Sequence, residues 1–96
     1  MSNLFTYILE FNEGTFVKQV HGINSTDSTK IWLKDLLMDS EIEFINNQNY
    51  QTIYKELFDD NNFLPIQLKS VKNVWCFTFL IKESLALVNI IKTEQN

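Results

Sequence analysis

From Leu4 to Phe11 the chain alternates without a break. Phe5, Tyr7, Leu9 and Phe11 fall on one side of an extended segment, and Leu4, Thr6, Ile8 and Glu10 on the other. A period of two places successive side chains on opposite faces, so this is a β-strand with an aromatic face that must be buried. Asn12-Glu13-Gly14 follows and suits a three-residue hairpin loop with Gly14 at the positive-φ position. Thr15 to His21 returns as a β-branched strand, and Gly22 ends it.

The period then changes. Asn24-Ser25-Thr26-Asp27 supplies candidate helix caps, after which Thr29, Trp32, Leu33, Leu36 and Leu37 recur at the spacing of an amphipathic helix. Ser40-Glu41-Ile42-Glu43 reads as a capping box and predicts a second helical start there. Ile42 to Ile45 fits helix or strand, and Asn46-Asn47 interrupts it. Tyr50, Ile53, Tyr54, Leu57 and Phe58 repeat the helical stripe, with Asn49 as the expected N-cap and Asp59-Asp60-Asn61-Asn62 as a closing polar loop. Pro65 holds Leu64 extended. After a crossing segment from Phe63 to Val71, Val74 to Ile81 and Leu85 to Thr93 read as a second hairpin, turning around Lys82-Glu83-Ser84.

The order is ββααββ over a chain of 96 residues, which fits one domain spanning 1–96. The expected fold class is α+β, a four-stranded antiparallel sheet with two helices packed on one face. Four strands at about 4.8 Å make a sheet about 19 Å wide, and two helices of about 10 Å diameter cover that width once. No element remains for the other face.

That second face should be largely polar if it meets water. Instead it reads as half apolar, with Val74, Cys76, Thr78 and Leu80 on the third long strand, and Leu4 and Ile8 on the first. On the fourth, Leu85, Leu87 and Ile91 alternate with Ala86, Val88 and Ile90, so both sides are apolar. An open apolar patch of several hundred Å² marks an interaction surface, so this face, or an edge beside it, is expected to dock a partner chain. The competing expectation, of equal weight, is that Phe63, Leu64 and Ile66 fold across it.

Charge narrows the partners. Lys supplies all eight cations, there is no Arg, and the formal net charge is −4. Phosphate and base-edge recognition lean on the guanidinium fork and on a basic patch, so nucleic acid is an unfavourable partner, as is an anionic membrane surface. Asp39, Glu41, Glu43, Asp59 and Asp60 are placed to steer a basic protein. With Cys76 the only cysteine, no internal disulfide can form. The first residues lack the basic and apolar runs of a secretory signal, and a cytoplasmic location is the expectation.

Chemistry-bearing constellations are scarce. His21 stands alone, with no ligand-spaced His or Cys around it, and no cofactor or metal is expected. Cys76 sits among bulky apolar residues and reads as a small buried hydrophobe; a nucleophilic role would need a base such as His21 beside it. Gly14 and Gly22 are the only glycines, which excludes a Gly-rich phosphate loop. Asp59 to Asn62 lacks the EF-hand turn glycine and closing Glu. Asn24-Ser25-Thr26 matches a glycosylation sequon and is better explained as a helix cap. Trp32 and Trp75 are expected to anchor one core.

The segment Glu10 to Val20, Asn73-Val74-Trp75-Cys76 after Trp32, and the closing Val88-Asn89-Ile90-Ile91-Lys92-Thr93 together resemble a pattern found in small bacterial domains. The resemblance covers both hairpins and one helix. It implies a bacterial stand-alone domain and brings no residue roles with it.

The functional expectation is a non-catalytic protein-binding module, an acidic inhibitor in the manner of immunity proteins and antitoxins. The alternative is a self-associating homodimeric structural or regulatory domain, with a small enzyme or ligand binder third. The expected contact residues are Val74, Cys76, Leu80 and Leu87, with the five acidic residues Asp39, Glu41, Glu43, Asp59 and Asp60.

Overall fold

The computed structural model describes residues 2–58 and 65–93. It contains β1 (Asn3–Phe11), β2 (Gly14–Gly22), α1 (Ser25–Met38), α2 (Asn47–Phe58), β3 (Ile66–Gln67), β4 (Val74–Ile81) and β5 (Ser84–Thr93). The four long strands form an antiparallel sheet in the order β2-β1-β5-β4, so the first and last strands of the chain pair at its centre. Both helices lie on one face, giving the ββααββ, α+β fold expected. The short β3 extends the sheet as a fifth strand outside β4.

Both hairpins close on two residues. Asn12 and Glu13 have φ of 48° and 66°, and Lys82 and Glu83 have 49° and 70°. Positive φ at both central positions matches the turn to the right-handed twist of the strands. Gly14 is therefore not the left-handed residue: it pairs with Phe11 inside the ladder. Its missing side chain serves the Phe16 ring, which a Cβ would approach to 2.9 Å.

Asn24 caps α1 as expected, accepting the Asp27 N–H at 2.8 Å, while the Asp27 carboxylate accepts from Ile23 N–H at 2.9 Å. The predicted helical start at Ser40 does not form. Asp39 ends α1, its Oδ1 accepts the Glu41 N–H at 2.9 Å, and its carbonyl accepts from Ile42 at 3.1 Å. That folds the chain into a turn, with Ile42 and Ile45 reaching the core from a loop. The cap of α2 also moves: Asn46 and Asn49 exchange side-chain to backbone hydrogen bonds of 2.7 and 2.9 Å. Asn46 is the cap and Asn49 the third helical residue, in the reciprocal geometry of a capping box.

The core lies between the helices and the inner sheet face. Phe5, Tyr7, Leu9 and Phe11 meet Phe77, Phe79 and Ile81, with Ala86, Val88 and Ile90 between them, under Trp32, Leu33, Leu36 and Ile53. Trp32 is its centre: its ring stacks on Tyr7 at 4.9 Å and meets Phe77 and Phe79 edge-on at 6.0 and 6.4 Å. The buried Tyr7 hydroxyl bonds Ser28 and Thr29 at 2.6 and 2.8 Å, so the one polar spot under α1 is satisfied. Trp75 contributes from the margin, half-buried and 6.3 Å from Phe5. Gly22 lets α1 approach the end of β2, since a Cβ there would lie 2.7–2.9 Å from Ser28 Cβ, Cα and N.

Of the crossing segment, Phe63 and Leu64 fall outside the described residues. The rest does not fold over the sheet. Ile66 and Gln67 pair edge-to-edge with Cys76 and Trp75, and the Leu68 N–H reaches the Val74 carbonyl at 2.9 Å. A strand that lengthens the sheet sideways widens its outer face rather than covering it.

Candidate functional site

Register fixes what stands on the outer face, because residues directly opposite across a ladder project to the same side. One cross-strand row reads Val17, Ile8, Asn89, Cys76, Ile66. The row on one side of it is Gln19, Thr6, Ile91, Val74. On the other side it is Thr15, Glu10, Leu87, Thr78. Leu4 stands between His21 and Thr93 at one end, and Leu80 faces Leu85 near the other.

The expected residues Val74, Cys76, Leu80 and Leu87 are thus brought together on one surface. Its most open apolar side chains are Val17, Ile66, Leu80 and Leu85, with 61%, 69%, 51% and 62% of their surfaces exposed. Ionisable groups are sparse. Besides the Cys76 thiol, the strands carry only Glu10 and His21 on this face. The other described charged side chains stand on helices, turns and loops, or, for Lys18 and Lys92, on the helix side of the sheet.

Part of the polar content is already satisfied within the sheet. Thr6 and Thr93 share a hydrogen bond between hydroxyls, and the Gln19 amide donates to Thr6 Oγ1 at 3.0 Å. These groups can leave water at lower cost than bare hydroxyls and amides.

The edges of the sheet differ from its face. On one side β3 is only two residues long. On the other, β2 carries the inward-pointing Lys18, whose ammonium meets the Asp39 carboxylate at 3.0 Å. Very short edge strands and inward charges are the devices that discourage edge-to-edge pairing.

Asp39 does not join the apolar residues. Asp39 sits beneath β2 on the helix side, its pKa lowered by the Glu41 N–H and then by Lys18. Glu41 and Glu43 are exposed in the same loop. Asp59 and Asp60 lie outside the described residues. The sheet separates Asp39 from Val74, Cys76, Leu80 and Leu87, so the nine residues do not make one site.

No nucleophile–base pair forms between Cys76 and His21. They stand on β4 and β2 with β1 and β5 between them, three strand spacings or about 14 Å apart at the least. Among the described residues no group of three or more His, Cys, Asp and Glu side chains gathers to hold a metal ion, and no helix is long and apolar enough to cross a membrane. On the helical layer, Lys30 lies 5.1 Å from the Phe58 ring centre and Lys34 5.5 Å from that of Tyr50, beside a shallow groove.

Val17, Ile66 and Leu85 were not among the expected contact residues, yet they are the most exposed apolar groups of the face. Val17 and Leu85 were detectable from alternation alone, each two residues from another outer-face position. Ile66 was not, because its role depends on pairing with Cys76. No family model, curated protein or solved structure matches the chain.

Proposed function

We propose that this protein is a non-catalytic protein-binding module and that its contact surface is the outer face of the sheet. The observation that carries the reading is the combination on that face of exposed Val17, Ile66, Leu80 and Leu85 with almost no charge. A sheet face turned permanently to water is polar, and interface centres are depleted of charge relative to the surface around them.

Small size and a net charge of −4 fit the class of acidic inhibitors to which immunity proteins and antitoxins belong. Asp39 lies on the helix side, away from the apolar face, so the acidic loop from Asp39 to Glu43 would add long-range attraction for a basic target rather than contacts at that face. A self-associating domain is the second reading, favoured by the placement of Glu10 and His21 at opposite ends of the face.

The test is capture of partner chains, copies of the protein included, on immobilised wild type and on a Leu80→Lys/Leu85→Lys double variant of unchanged circular dichroism. Chains held by the wild type and released by the variant support the reading. Equal retention on both contradicts it.

A further inference from the structure

We infer that the occupant of the outer sheet face is a second copy of this chain, stacked face to face to give a four-layer α-β-β-α dimer. The inference rests on the reading of that face as the contact surface and names its partner.

Three features favour a like chain. The first is charge. Among the described residues the ionisable groups on the face besides the Cys76 thiol are Glu10, near the first hairpin turn, and His21, at the opposite end of the strands. A twofold axis lying in the interface and crossing the strands sets the Glu10 end of one copy over the His21 end of the other. Self-stacking by that operator brings no like charges together and leaves both groups at the rim.

The second feature is area. Four long strands at about 4.8 Å, each rising about 3.3 Å per residue, give a footprint of roughly 19 Å by 30 Å, or about 600 Å² per copy. Two copies bury about 1,200 Å², the lower end of what a specific dimer needs. The rows around Ile8, Cys76, Leu87 and Ile91 hold aliphatic side chains interleaved with threonines, Gln19, Asn89 and Glu10, with no ring among them, and two such faces pack at about 10 Å.

The third feature is that competing routes to self-association are blunted. Edge pairing through β2 must contend with Lys18, already bound to Asp39, and β3 offers two residues of ladder. Among the described residues the face has no equivalent protection.

Sedimentation velocity from about 1 to 500 µM tests this on the full chain, a range that reaches above the micromolar limit of interfaces of about 1,600 Å² because this one is smaller. The wild type is expected to pass from monomer to dimer in that range. Leu85→Lys and Val17→Lys should each shift the transition at least tenfold to higher concentration. Met38→Lys, an exposed apolar residue at the end of α1, should leave it in place. Circular dichroism confirms that each variant is folded. A wild type that stays monomeric to 500 µM overturns the second copy as occupant, while the capture experiment still decides whether the face binds another protein. A dimer that both lysine variants leave intact places self-association elsewhere on the molecule and overturns this inference, and the capture experiment again decides whether the face binds another protein.

Discussion

The two faces of the sheet are built from the same strands and differ in what they ask of a side chain. The inner face is aromatic and sealed: Phe5, Tyr7, Phe77 and Phe79 lie under Trp32, and the Tyr7 hydroxyl is capped by Ser28 and Thr29. The outer face is aliphatic and open, with Leu80, Leu85 and Val17 exposed and threonine, glutamine and asparagine between them. Folding requires the first face. The second contributes β-propensity and cross-strand contact, and its apolar content is more than a solvated face needs. Substitutions on the two faces should therefore separate stability from association.

The largest separation is expected at Trp32. Trp32→Ala removes the ring that Tyr7, Phe77 and Phe79 all touch, and should cost about 3–5 kcal/mol in urea unfolding. Gly22→Ala comes next. Its Cβ meets Ser28 Cα and N, not a mobile side-chain tip, so α1 must shift at a cost of about 1–3 kcal/mol.

Tyr7→Phe removes a buried hydroxyl from the inner face and leaves those of Ser28 and Thr29 to the Ser25 carbonyl, at about 1–2 kcal/mol. It carries a pH signature as well. Burial pushes the Tyr7 phenol up to about 12 against an ordinary 10.0, with the Ser28 and Thr29 hydrogen bonds acting the other way. The unfolded chain therefore gives up this proton at lower pH than the folded one. The stabilisation is complete below pH 10 and is lost as pH rises toward 12. Subtracting the Tyr7→Phe unfolding curve from the wild-type curve should expose that slope.

The smallest change in stability belongs to the outer face. Leu85→Lys, measured below the association range, should move unfolding by no more than about 0.5 kcal/mol. A loss comparable to that at Trp32 would show that the outer face belongs to the protomer's own core.

Much of this architecture was legible in the sequence because one period governs each segment. Strict alternation from Leu4 to Phe11 identified β1 and its buried face, and the Thr29 to Leu37 stripe identified α1. What escaped was decided by side chains bonding locally to backbone. Asp39 captures the Glu41 N–H and turns the chain where Ser40 to Glu43 reads as a helix start. The reciprocal Asn46–Asn49 bonds move the cap of α2 by three residues, since either asparagine is chemically suitable. The hairpin loops escaped for another reason: Glu13, Lys82 and Glu83 accept positive φ without being glycine, because strand twist selects the turn. At the candidate site, alternation exposed the apolar character of Val74, Cys76, Leu80 and Leu87. It carried no information on which side of the sheet the loop from Asp39 to Glu43 would fall.

Cys76 offers the most direct measurement, because the chain's only thiol is half-buried on the outer face, on β4 in the cross-strand row of Ile8 and Asn89. Its alkylation rate by a small maleimide should fall as protein concentration rises through the association range, and should stay constant in Leu85→Lys. Association that leaves the wild-type rate unchanged would place the contact elsewhere on the molecule and contradict the account.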